Sequence, residues 1–227
     1  MIVYHGTPIS PRAVLLSLAG HSFCVPFTDP RDVGACLAIG QSVMLDNGAW
    51  SAFTRGHVPD WPGYYAWSEP HLSPVHWAVV PDVIDGTTAD NLALARQWPH
   101  RRDWAGVVWH LHEPFDHLAA LADTWPRVCF GSSGIYADPA SDRWHARMDA
   151  AWNLLARTGR RPWVHMLRAL QQAGGGPWPF TSADSTNLAR NHGADRRDVL
   201  RMAAEIEARQ PPIRWTLRPE QQELAAA

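Results

Sequence analysis

The segment GVVWHLHEPFDHLAALADTWPRVCFGSSG, residues 106–134, holds the unit from which the fold is read. It opens on a short apolar run at 106–111 and passes into a longer segment of helical character, FDHLAALADTW. It returns to a second apolar run at 127–130. The alternation recurs in both directions along the chain. Further candidate strands lie at 2–4, 23–26, 42–45, 77–80, 163–167 and 178–182, the last with the weakest pattern. Between them lie PRAVLLSLAG, PRDVGACLAIG, TTADNLALARQW, SDRWHARMDAAWNLLARTG and DRRDVLRMAAEIEARQ. Several of these begin with Ser, Thr, Asp or Pro, as helix N-termini do. In the last two, apolar positions recur at three and four residues, the signature of an amphipathic helix.

Repeated strand–helix alternation predicts a parallel sheet covered by helices. Eight candidate strands predict an α/β fold, a single compact (β/α)8 TIM-type barrel over residues 1–215, with a frayed or briefly helical tail at 216–227. An open doubly wound sheet is the alternative. No GxGxxG or Walker-type loop follows any strand, which counts against its nucleotide-cofactor versions. RGHVPDWPGYYAWSEPHLSP, residues 55–74, reads as an irregular excursion over one face.

The totals narrow the classes. At 227 residues, with 46% apolar and 19% charged side chains, the chain is an ordinary globular sequence. No apolar run approaches the ~18 residues that span a membrane, and MIVYHGTPIS lacks the pattern of a signal peptide. The expectation is a cytoplasmic protein without a membrane partner. Three scattered cysteines form neither a disulfide framework nor a metal knuckle. Net charge is −2 and every basic side chain is Arg, so no global basic field argues for nucleic acid, although a local Arg patch stays open. Thirteen Trp supply rigid apolar bulk and stacking surface.

Polar residues cluster where apolar runs end. VMLDNGAWSAF breaks at Asp46 and Asn47, WAVVPDVIDG at Asp82 and Asp85, GVVWHLHEP at His110, His112 and Glu113, and FTSADSTN at Asp184. RVCFGSSG ends in Gly131, Ser132 and Ser133, leaving backbone amides for a ligand. In a parallel barrel all strand C-termini face one mouth, so Asp46, Asp82 and Asp184 are expected to converge. Each of them alone reads more readily as a helix cap or turn former than as a chemical group, and Thr87 or Thr88 is available to cap the helix after Asp85. His165 reads either as a polar contact in the mouth or as a satisfied core histidine. Arg190 and Asn191, downstream of Asp184, suit a phosphate or sugar, or are solvated loop residues, with Asp195 marking the loop beyond.

His110 and His112 lie on one face if both are in a strand, yet the set is short of the usual three metal ligands. No metal and no cofactor is expected. No GxSxG elbow is present, and no cysteine sits beside an obvious histidine. A carboxylate pair without metal suits glycosyl chemistry, one attacking the anomeric carbon and the other moving protons. Asp184 and Asp46 are the pair chosen, with the hydroxyls of Ser185 and Thr186 placed to keep Asp184 ionised. An Asp beside an Asn can read the donor and acceptor edge of a purine.

With these motifs in place, residues 40–193 resemble the tRNA-guanine (queuine) transglycosylase superfamily, including the short phage and bacterial relatives that insert deazaguanines into DNA. LDNGAWSAF is similar to the family's Asp-Ser-Gly-Gly-Phe segment, PDVIDG to its base-binding aspartate segment, and CFGSSG to its glycine-bearing base loop. FTSADSTNLARNHG resembles the segment carrying the family's nucleophile. The resemblance implies Asp184 as nucleophile, Asp46 as proton-transfer residue, and Asp82 and His110 as base contacts, with backbone contacts from Gly131 and Ser132. The cysteine-rich zinc subdomain has no counterpart, so the implied fold is the bare barrel. The implied partners are a purine or 7-deazaguanine base and, through it, DNA or another nucleic acid or a nucleoside. A non-catalytic base- or nucleic-acid-binding module and a metal-assisted barrel hydrolase built on His110 and His112 are the rival functions.

Overall fold

A computed structural model describes residues 1–193 and 198–219 of the chain. Eight parallel strands close into a barrel in sequence order. They are β1 (Ile2–Gly6), β2 (Ser22–Pro26), β3 (Ser42–Asp46), β4 (His76–Val79), β5 (Ala105–His110), β6 (Arg127–Gly131), β7 (Trp163–Met166) and β8 (Ser182–Ser185). The helices are α1 (Arg12–Ser17), α2 (Val33–Ile39), α3 (Ala49–Arg55), α4 (Trp61–Ser68), α5 (Thr88–Gln97), α6 (Phe115–Thr124), α7 (Asp142–Arg157), α8 (Leu170–Gly175), α9 (Asn187–Asn191) and α10 (Val199–Glu207). The expected (β/α)8 architecture is the one observed. Asp195 and most of the tail lie outside the described residues.

Alternation along each strand divides the apolar residues into two layers. Tyr4, Cys24, Met44, Trp77, Val79, Val108 and Cys129 pack inside the barrel. A larger shell joins the outer strand faces to the helices, with Trp98, Trp109, Trp125, Trp144 and Trp152 among its members. Trp77 and Tyr4 satisfy their polar atoms within the interior: Trp77 Nε1 donates to Tyr4 Oη at 2.9 Å, and Tyr4 Oη lies 2.9 Å from Ser42 Oγ. Arg127 stacks over Trp77 with its guanidinium carbon 4.4 Å from the ring centroid. This packed floor leaves the opposite end of the barrel for the site.

Two expectations are corrected. The eighth strand is not 178–182 but Ser182–Ser185. Trp178 and Phe180 suggested a strand because they are apolar, yet both pack outside the barrel. Trp178 Nε1 donates to Asp149 of α7 at 2.8 Å, and Phe180 sits edge-on to Trp152. The strand itself reads SADS and is placed by its neighbours. Tyr4 pairs with Asp184 on one side, and His165 with Ser182 on the other. Asp184 therefore lies within a strand, on the same face as the interior Tyr4.

The second correction concerns residues 55–74, which are not wholly irregular. Asp60 caps α4 by accepting from Gly63 N at 2.9 Å, and Pro62 occupies its first turn, where a missing N–H costs nothing. The helix buries Tyr64, whose hydroxyl lies 3.0 Å from Leu45 O and 2.7 Å from Val79 O. That contact fixes the ends of β3 and β4, from which two site segments emerge. At the other end of the chain, Trp215 and Arg218 dock on α7: Trp215 Nε1 and Arg218 N both donate to Asn153 Oδ1, at 2.9 and 3.0 Å.

Candidate active site

A cavity of about 540 Å³ opens at the C-terminal ends of the strands. Asp46, Asn47, Asp82, His110, Gly131, Asp184 and Arg190 all line it. The three carboxylates expected to converge do so, and none is the N-cap of a following helix. Gly48, Thr87 and Thr186 hold those positions before α3, α5 and α9. Thr87 completes a capping box with Asp90, while Asp85 is exposed beside the turn. Asp46 does retain a turn role, its Oδ2 accepting from Gly48 N at 3.2 Å.

Asp184 is buried and held by two donors on the same oxygen. Trp163 Nε1 can only donate, and it lies 2.7 Å from Ser182 Oγ. The Ser182 proton is then free for His165 Nδ1, 2.8 Å away. That sets the Nε2–H tautomer of His165, which donates to Asp184 Oδ1 at 3.2 Å. Burial pushes the His165 pKa down, opposed by the hydrogen bond and charge of Asp184, so the ring is a neutral donor. The second donor is the Arg168 backbone N–H, 2.9 Å from the same oxygen. Arg168 has φ +64°, and the N–H of Ala169 reaches back to Leu167 O at 2.9 Å. This is a tight three-residue turn of a kind that non-glycine residues rarely adopt. The strained turn aims an amide at the carboxylate and carries the Arg168 side chain to the cavity rim. There its guanidinium carbon lies 3.7 Å from the centroid of the exposed Trp50 ring.

Asp82 is held on the opposite wall. Asn47 Nδ2 donates to Asp82 Oδ1 at 2.7 Å and to Val80 O at 2.9 Å, while Asn47 Oδ1 accepts from Ala49 N at 2.8 Å. His110 Nε2 donates to Asp82 Oδ2 at 2.9 Å. His110 Nδ1 is buried and has no hydrogen-bond partner. A Cβ built on Gly131 would lie 2.9 Å from that nitrogen, so only glycine leaves the ring where it is. The wall thus presents a fixed carboxylate, while the unpaired ring nitrogen is buried against Gly131.

Asp46 sits between these two charges. Its pKa is raised to about 7, first by burial and then by the charges of Asp184 and Asp82. The Gly48 amide and Arg168 act in the opposite direction and are outweighed. Near neutral pH the group both gives and accepts a proton, as a general acid–base must.

Three expected contacts are not on the cavity wall. Ser132 turns away and accepts from Trp144 Nε1 at 2.9 Å, tying β6 to α7. His165 is fully buried behind Asp184, a core histidine with a positioning contact. Asn191 is exposed on α9 and donates to Asn187 Oδ1 at 2.9 Å. His112 lies beyond the end of β5, so it does not share a strand face with His110. Its ring nitrogens face Ser133 Oγ at 2.7 Å and Gly86 O at 3.0 Å. Sequence reasoning missed Arg168 and Trp50. Nothing local marks Arg168, whereas Trp50 follows the Asp46 turn in a predicted site loop and was readable there. No protein-family model matches the chain, and no curated protein matches it.

Proposed function

We propose that the protein is a transglycosylase-like enzyme that acts at an N-glycosidic bond of a guanine- or 7-deazaguanine-type base. The observation that carries this reading is the unequal carboxylate pair in one cavity. Asp46 is raised to about 7, while Asp184 accepts from both His165 and the Arg168 amide. Pairs of acids whose surroundings separate them in this way take distinct acid and nucleophile roles.

In the proposed reaction an Asp184 oxygen forms a bond to C1′. The C1′–N bond breaks, its electron pair passes to the base, and the base takes the Asp46 proton. An incoming base, or water, then gives its proton to Asp46 and displaces Asp184 from C1′. The departing base edge lies against Asp82, which Asn47 and His110 hold in place, and Arg190 on the rim faces the sugar–phosphate. A volume of about 540 Å³ suits a nucleoside-sized ligand. The resemblance of residues 40–193 to the tRNA-guanine transglycosylases supports the same assignment.

The test uses a guanine-containing oligonucleotide with 7-deazaguanine as acceptor. Intact-mass analysis of quenched reactions should reveal a protein–substrate adduct. Asp184→Asn should remove both adduct and base exchange, by at least about 10³-fold in rate. Full exchange activity in that variant would remove the basis of the assignment.

A further inference from the structure

His5, His21 and Glu207 form a second polar cluster, outside the barrel. Tyr4 points inward, so His5 projects from the opposite face of β1, toward the helices, and is buried. His21 immediately precedes β2. Glu207 is the last residue of α10 and reaches both rings. His5 Nε2 lies 2.9 Å, and His21 Nδ1 2.7 Å, from the same carboxylate oxygen, Oε1. One nitrogen from each ring and one carboxylate oxygen all fall within 4.8 Å of one another. Among the described residues this is the only such group of His, Cys, Asp or Glu.

We propose that these residues are the ligands of a divalent transition-metal site of the zinc class, which clamps α10 to the first two strands. Two imidazoles and one carboxylate are a borderline ligand set that zinc accepts. With bonds of about 2.0–2.1 Å, tetrahedral zinc spaces its ligand atoms roughly 3.3 Å apart. The separations of 2.9 and 2.7 Å need only widen by a few tenths of an ångström. His21 and Glu207 are partly exposed, which gives a cation an entry path and leaves the fourth position to water. The end of α10 is held against the start of the chain before any metal arrives. Gln210 Nε2 donates to Glu207 O at 2.7 Å and to Met1 O at 3.2 Å, and the Met1 amino group donates to Gln210 Oε1. Glu207 thereby stays in register with β1, although 202 residues separate it from His5. Ligation through the nitrogens that now face Oε1 requires each imidazole to carry its proton on the other ring nitrogen.

The experiment titrates the metal-stripped full chain with zinc and with cobalt, following melting temperature, stoichiometry by calorimetry, and the ligand-field bands of tetrahedral cobalt. Expected are one equivalent bound, intense visible cobalt bands, and a melting rise of about 5 °C at a hundredfold excess over Kd. His5→Gln, His21→Gln and Glu207→Gln should each abolish all three responses while keeping the far-ultraviolet dichroism of the parent. Should the buried His5→Gln fail to fold, the partly exposed His21→Gln and Glu207→Gln decide the matter. Absence of zinc binding in the parent, or binding unchanged in His21→Gln, overturns the site.

Discussion

Replacing Asp46 with Asn should stabilise the protein, and only above a definite pH. The Asp46 carboxyl is raised from 3.8 to about 7. Between those values the folded state keeps a proton that the unfolded chain has released. Stability is therefore lost as pH climbs through this window, because folding then forces a charge into the space between Asp184 and Asp82. About three pK units at 1.36 kcal/mol each amount to about 4 kcal/mol. Asp46 is partly open to the cavity, and solvent screening trims this to about 2–4 kcal/mol. Asn has the same shape, can still accept from the Gly48 amide, and never ionises. Urea unfolding of parent and Asp46→Asn should coincide near pH 4, diverge between pH 4 and 7, and differ by a constant ~2–4 kcal/mol above pH 8. For a chain of this length that is roughly 4–8 °C in Tm at pH 8. Asp184→Asn removes the largest charge acting on Asp46, so in that background the divergence should still begin near pH 4 but be smaller and level off at lower pH. A stability difference that is flat with pH, or untouched by Asp184→Asn, would refute the electrostatic coupling of the two carboxylates.

Gly131→Ala places a Cβ 2.9 Å from His110 Nδ1. It should cost about 1–3 kcal/mol of stability by overpacking, and should weaken base binding in calorimetry by about tenfold as the ring swings off Asp82. Unchanged base affinity would remove His110 from the binding wall. Arg168→Gly keeps the φ +64° turn and its amide but removes the guanidinium over Trp50. Its stability should stay within about 1 kcal/mol of the parent, while oligonucleotide affinity in fluorescence anisotropy falls about tenfold. Parental affinity in that variant would show that the rim cation contacts no phosphate.

The barrel was legible because seven of its eight strands carry their own apolar pattern. The eighth was misplaced because SADS has no such pattern and gains its conformation from pairing with β1 and β7. The convergence of Asp46, Asp82 and Asp184 followed from topology alone, since strand ends in a parallel barrel share a mouth. Side-chain direction was harder to foresee. Ser132 and His165 belong to the right segments, yet one faces α7 and the other lies beneath the carboxylate it supports. Arg168 was invisible because its role comes from a backbone angle that its sequence does not advertise.

The composition of β8 also bears on the order of assembly. Its four residues offer small polar side chains and almost no apolar area of their own, so this strand has little reason to form before its neighbours exist. Folding is then expected to finish at this edge, with β8 closing the ring between the two ends of the chain. Native-state hydrogen exchange should accordingly find the β8 amides opening at lower free energy than those of β5 and β6. A chain that has not closed its ring would hold Asp184 apart from Asp46 and from the amide of Arg168. The acidic pair would then come into existence only in the last step of folding.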